Sequence, residues 1–189
     1  MSRLRTPGRV DEVDVVIVGG GVLGCAVAAR LSQTTASVCL IEAAADVCEG
    51  ASKGNAGNVI SFYGEPGTEE TALLNASNPR FDALCARLGV PFRRIGAVMV
   101  ATTAEEEERL AAILDQVHAC GVQATALTAG QVRSAEPLVT EDCRAGLSLP
   151  DEAIIDPMRL TVAYASLAAQ NGARIVLGEK VAEVEKQDD

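Results

Sequence analysis

The stretch VDVVIVGGGVLGCAVAARL, Val13 to Leu31, decides the fold. Val15 to Val18 is a β-branched apolar run that reads as a strand buried on both faces, the habit of a parallel sheet. Three glycines follow. In the alanine-rich segment after them Leu23, Val27 and Leu31 recur every fourth residue, while Gly24 and Ala28 form a second, smooth stripe suited to lying close on a sheet. Gly19, Gly21 and Gly24 therefore fit G-x-G-x-x-G in a strand–turn–helix setting. In that motif the first glycine allows the tight turn, the second admits a pyrophosphate, and the third brings helix and strand together. The free amides at the helix start, with the helix dipole behind them, attract phosphate.

An ordinary glycine turn would satisfy the motif alone, but its surroundings favour a dinucleotide. A second apolar strand, Ser37 to Glu42, follows the helix and ends in a carboxylate eighteen residues beyond Gly24. An acid there can take both hydroxyls of an adenosine ribose and would repel a 2′-phosphate. From these residues the dinucleotide is NAD or FAD.

A chain of 189 residues with 48% hydrophobic and 22% charged residues forms one globular domain with a sizeable core, or a small pair. A net charge of −10 argues against a nucleic-acid surface. No apolar stretch approaches a membrane span, and residues 1–12 carry three arginines without an apolar signal region. The tail is expected to be disordered and the protein cytoplasmic. The six cysteines show no C-x-x-C and no metal-ligand spacing, so they are expected to be free and reduced, with Cys25 and Cys39 in the core. Cys48 lies close to the expected cofactor loop, where a small apolar filler outweighs a flavin attachment. The single histidine, His118, flanks the stripe Leu110, Ile113, Leu114 and Val117 and reads as structural.

Further along, Ala104 to Cys120 reads as a helix whose EEEE opening, Glu105 to Glu108, is a solvated first turn. Arg93–Thr102 and Cys143–Leu149 read as strands of an α+β segment. Asp156, Pro157 and Gly172 mark the N-cap, first position and stop of another helix, with Leu160, Tyr164 and Leu167 facing inward. Ala173–Leu177 supplies a third parallel strand, and Val181–Gln187 reads as an edge strand after it. The fold class is α/β: a Rossmann-like parallel sheet with an inserted α+β segment. The expected domains are 13–90 with 150–189 for the dinucleotide and 91–149 for the start of a substrate domain.

Cys48 to Thr68, CEGASKGNAGNVISFYGEPGT, replaces the short α/β unit with which an NAD domain continues, and its Gly, Ser and Asn content reads as a loop rich in hydrogen-bond donors. Taken with the glycine motif, IEAA, GASKGNAG, LGVPFRRIGAVMVATTAEEEERL and IIDPMRLTVAYASLAAQNGARI, it resembles the N-terminal half of the D-amino-acid oxidase-like FAD-dependent oxidoreductases. The nearest branch is that of the glycerol-3-phosphate dehydrogenase/oxidase and L-2-hydroxyglutarate oxidase enzymes, and the likeness runs from Val13 to Glu185.

That resemblance implies FAD as cofactor and oxidation of a small hydroxy acid, glycerol 3-phosphate or amino acid by hydride transfer to flavin. It implies that Gly19, Gly21 and Gly24 face the pyrophosphate and that Glu42 holds the adenosine ribose. Ser52, Lys53, Asn55 and Gly57 match the loop running along the pyrophosphate and ribityl toward the flavin ring, and the Val181 backbone meets the adenine. The branch has a histidine where Ile60 stands, so no catalytic base is assigned. Arg93, Arg94 and Arg133 are candidates to meet an anionic substrate, against the commoner surface role.

The resemblance also implies a longer chain. The 189 residues alone are therefore expected neither to hold FAD stoichiometrically nor to oxidise substrate. The alternative is a truncated or split, non-catalytic dinucleotide-binding chain that needs a partner or a missing C-terminal half. An NAD dehydrogenase is a third reading, weakened by the Gly/Ser/Asn loop.

Overall fold

The computed structural model describes residues 12–62 and 65–186. In chain order the elements are β1 (Val15–Val18), α1 (Val22–Leu31), β2 (Val38–Glu42), β3 (Asn58–Val59), α2 (Glu69–Ser77), α3 (Phe81–Leu88), β4 (Phe92–Arg94) and β5 (Ala97–Ala101). Then come α4 (Ala104–Ala119), β6 (Thr125–Thr128), α5 (Ala129–Ala135), β7 (Ala145–Leu149), β8 (Ala153–Ile155), α6 (Pro157–Gln170) and β9 (Arg174–Leu177). The chain divides into two compact units, residues 1–55 with 157–189 and residues 56–156. The sequence alone placed the dividing points at 90/91 and 149/150. Apart from Glu12, the tail expected to be disordered lies outside the described residues.

The first unit is a parallel sheet in the order β1-β2-β9. Ile17, Leu40 and Ile175 stand side by side across it and pack on α1 and α6. Full burial of Leu40 contributes about 1.5–3 kcal/mol. The smooth stripe of α1 is the one that turns inward: Cys25, Ala28 and Ala29 meet Ala165 and Ala168 of α6, small residues that let the two helices approach closely. Leu23, by contrast, is 80% exposed. On α6, Leu160 is buried and Tyr164 and Leu167 are partly buried against the core.

The first strand departs from the expectation of burial on both faces. Val16 is 53% and Val18 62% exposed, because α1 and α6 cover only the face that carries Ile17. Nor is there a strand beyond β9 among the described residues: Val181–Lys186 has no regular structure, and Gln187 lies outside them.

The second unit holds two antiparallel sheets, β3-β8-β4 and β5-β7-β6. The single strand expected over Arg93–Thr102 is two strands in two different sheets. At Gly96 the backbone turns left-handed (φ +68°), and the amides of Ile95 and Gly96 both donate to the Glu152 carbonyl, which ends one ladder before the next begins. Leu110 of α4 packs on Ala101 and Leu147, and Val117 on Val122 and Leu149. The EEEE turn is more than a solvated face. Thr103 and Glu106 form a capping box, and Glu107 pairs with Arg144 at 2.7 Å. His118, at the exposed end of α4, is hydrogen-bonded through Nε2 to the Ala124 carbonyl.

The Gly/Ser/Asn segment is a loop except where Asn58 and Val59 pair with β8; Tyr63 and Gly64 lie outside the described residues. All six cysteines are buried and unbridged.

Candidate functional site: the glycine turn and its carboxylate

Gly19 leaves β1 with φ +104°, a left-handed backbone in which a side chain is strained, and its amide donates to the Ile41 carbonyl at 2.8 Å. The turn then enters α1, and a Cβ at Gly24 would lie 2.0 Å from the Gly19 carbonyl oxygen. Helix and turn thus touch backbone to backbone, which only glycine permits.

The N-cap of α1 is Gly21, which has no side chain to close the first turn. That function comes from thirty residues downstream, where Ser52 Oγ accepts from the Val22 amide at 2.9 Å. Its hydroxyl proton remains available to a ligand oxygen. The amide of Gly21 has no partner among the described residues. A turn without side chains, an unpaired amide, a helix dipole and a serine hydroxyl together form a cradle for a diphosphate.

Glu42 closes the other side. Its Oε2 accepts from the Gly20 amide at 2.5 Å and its Oε1 from the Ala44 amide at 2.7 Å. The Ala44 bond, then the Gly20 bond, hold its carboxyl below the usual glutamate range, so it is ionised at neutral pH. Each carboxylate oxygen keeps lone-pair capacity for a donor such as a sugar hydroxyl.

The sequence model of the FAD dependent oxidoreductases matches residues 14–189. The chain belongs to that family. Among its relatives is glycerol 3-phosphate dehydrogenase of Caloramator mitchellensis, 34% identical over 93% of this chain and 37% of the relative. L-2-hydroxyglutarate dehydrogenase of Escherichia coli K12 is 29% identical over 89% of this chain and 40% of its own length. The structure of FAD-bound L-α-glycerophosphate oxidase from Mycoplasma pneumoniae superposes with a TM-score of 0.86 at 28% identity, over 94% of this chain and 48% of that one. The chain thus spans less than half the length of these relatives.

FAD is the cofactor of the FAD-dependent oxidoreductases, and the turn fits its pyrophosphate: a Cβ at Gly21 would come within 3.3 Å of Ser52 Oγ, in the space the cradle leaves open. The structure brings Gly19, Gly21, Gly24, Glu42 and Ser52 together. Lys53 instead pairs with Glu49 at 3.0 Å on the exposed side of the loop, and Asn55 is exposed. Val181 lines a cavity of about 410 Å³ with Cys39, Ile41, Arg174 and Val176. The amide of nearby Glu179 donates to the Glu42 carbonyl at 3.0 Å. Gly57 belongs to the second unit, is buried with φ +79°, and accepts from the Ile155 amide.

Sequence reasoning passed over Gly20, and it read Cys48 as a filler beside the cofactor loop without its contact to the turn. Gly20 was legible as the middle of three glycines. Cys48 is the one described non-glycine residue at positive φ (+70°), and its amide donates to the Gly20 carbonyl at 2.9 Å, neither of which its neighbours in sequence announce.

Two of the three candidate arginines for an anionic substrate are engaged elsewhere. Arg94 donates to Asp82, to the Asn78 side chain and carbonyl, and to the Asp151 carbonyl. Arg133 caps the carbonyls of Glu141 and Cys143. Arg93 is exposed beside a cavity of about 350 Å³ lined by Phe92, Ile154 and Ile155. Among the described residues no three His, Cys, Asp or Glu side chains group to hold a metal, and no helix is long and apolar enough to cross a membrane.

Proposed function

We propose that this chain is the N-terminal portion of an FAD-dependent dehydrogenase or oxidase acting on a small hydroxy acid or glycerol 3-phosphate, with an amino acid as the remaining substrate class. The observation that carries this reading is Ser52 Oγ on the Val22 amide, which closes the Gly/Ser/Asn loop onto the glycine turn. Gly19, Gly21, Gly24 and Ser52 hold the pyrophosphate, and Glu42 takes the ribose hydroxyls. Lys53, Asn55 and Gly57 continue toward the flavin ring, and the Val181 backbone borders the adenine. When bound, FAD supplies the electron acceptor for oxidation at a substrate carbon.

This chain's own residues bind and orient. The amides at the start of α1 offset the diphosphate charge, and the Glu42 carboxylate selects an unphosphorylated ribose. Ile60 stands where the branch has a histidine, so the proton acceptor is another residue or the substrate differs from those usual in the branch. A small-molecule substrate, a cytoplasmic location and dependence on further C-terminal sequence or a partner chain belong to the same proposal. Residues 91–149 then begin the substrate domain, and 13–90 with 150–189 bind the cofactor.

The test is calorimetric titration of the chain with FAD, ADP and NAD. FAD or ADP binding that weakens in Ser52→Ala supports the reading. Absence of binding by both ligands overturns it.

A further inference from the structure

We propose that Glu42 positions the phosphate-binding turn itself, in addition to meeting the ribose, so that one carboxylate presets the diphosphate cradle before any sugar contact is made. This rests on the dinucleotide reading of the site. Gly20 is gripped from both sides: its amide donates to Glu42 Oε2, while its carbonyl accepts from the Cys48 amide at 2.9 Å and Cys25 Sγ at 3.3 Å. The two peptide units flanking Gly20 are therefore fixed in direction, and the second of them carries the unpaired Gly21 amide.

A three-glycine turn has more conformational freedom to lose than any other sequence, so a cradle made from it needs an anchor. A charge-assisted bond to a backbone amide is among the stronger anchors available. The approach is also sterically exclusive. A Cβ at Gly20 would lie 3.1 Å from Glu42 Oε2 and 3.2 Å from its Cβ and Cγ, so the middle glycine is the residue that lets the carboxylate reach the turn. With Oε1 on Ala44, the same group ties the turn to the chain leaving β2.

The proposal separates from ribose reading through a ligand that lacks the sugar hydroxyls. The 189-residue chain is titrated with ADP and with 2′,3′-dideoxy-ADP, as wild type, Glu42→Gln and Gly20→Ala. A positioning role predicts that Glu42→Gln weakens both ligands, dideoxy-ADP by about tenfold, the loss of one charge-assisted bond. Gly20→Ala, which keeps the charge but displaces it, weakens both as well. Dideoxy-ADP affinity unchanged in Glu42→Gln, with ADP affinity reduced, overturns the proposal and leaves the dinucleotide reading standing. A wild-type chain that binds neither ligand overturns that reading, and the proposal with it. Should the variants not fold, the wild-type Gly20 amide decides. An ¹⁵N-detected pH titration in which its proton shift follows the Glu42 carboxyl supports the proposal, and an insensitive amide overturns it.

Discussion

Gly24 and Gly19 are in backbone contact: the Gly19 carbonyl oxygen occupies the space a Cβ on Gly24 would need, 2.0 Å away. Gly24→Ala must push α1 off the turn, at a cost of about 1–3 kcal/mol for overpacking a fitted site. Urea unfolding followed by circular dichroism measures it. Dinucleotide binding is expected to be lost with it, since the helix start moves away from the turn. A variant as stable as the parent would mean that the helix withdraws freely.

Asn78 is the hub of the second unit. Its buried side chain accepts from Arg94 and donates to the carbonyls of Ile60 and Asp151. Asn78→Ala strands those partners and is expected to cost about 2–3 kcal/mol. Asp82→Ala, which removes an exposed partner of the same arginine, is expected to cost about 0–1 kcal/mol. Equal losses in chemical denaturation would contradict the ranking.

Among the described residues three carboxyls lie below their ordinary range: Asp14 through the Ser37 hydroxyl, Glu42 through the Ala44 amide and Glu106 through the Thr102 amide. A depressed folded value means that the stabilisation is complete above the unfolded value. It is lost as pH falls through that value and on through the folded one. Stability should thus be flat near neutrality in this respect and decline as pH falls below the ordinary glutamate value of 4.5. Melting temperatures measured between pH 7 and 3 test this, and Glu106→Gln should make the decline shallower. A parent curve flat down to pH 3 would count against these bonds.

The six buried thiols should resist a thiol reagent in the native protein and all react once it is denatured. Cys25 should be slowest, because burial pushes its thiol up to about 11. Timed alkylation with mass-spectrometric mapping gives the order. Fewer than six reactive thiols in denatured, unreduced protein would contradict a free-cysteine chain.

The resemblance implied that the chain alone does not hold FAD stoichiometrically. Purification with a flavin spectrum and size-exclusion chromatography tests this, the expected result being colourless, self-associating protein with Val16 and Val18 exposed on the sheet. A yellow monomer with one FAD per chain would refute it.

Much of the first unit was readable because its signals are local. Val15–Val18, the glycine spacing and the Asp156–Pro157 helix start are short-range patterns, and the strands pair in the parallel order they imply. Glu42 was legible too, because a strand end fixes which residue emerges at the turn. In the second unit the signals were weaker. The helices over Glu69–Ser77 and Phe81–Leu88 and the capped turn at Thr128–Gln131 went unread, being short and mostly exposed. The break at Gly96 was hidden inside an apolar run that reads as one strand.

By itself, then, the sequence determined the strand–turn–helix, the acid at the end of β2 and the family they mark, because each depends on residues a few positions apart. Only the tertiary structure decided that Ser52 caps α1, that Glu42 and Cys48 grip Gly20, and that the Arg94 fork is filled by Asn78, Asp82 and Asp151. Those bonds join positions from about a dozen to nearly sixty residues apart. No periodicity or local propensity encodes such a pairing; it exists once the burial of Leu40, Ala28 and Ala168 in one unit, and of Leu147 and Val117 in the other, has brought the segments together.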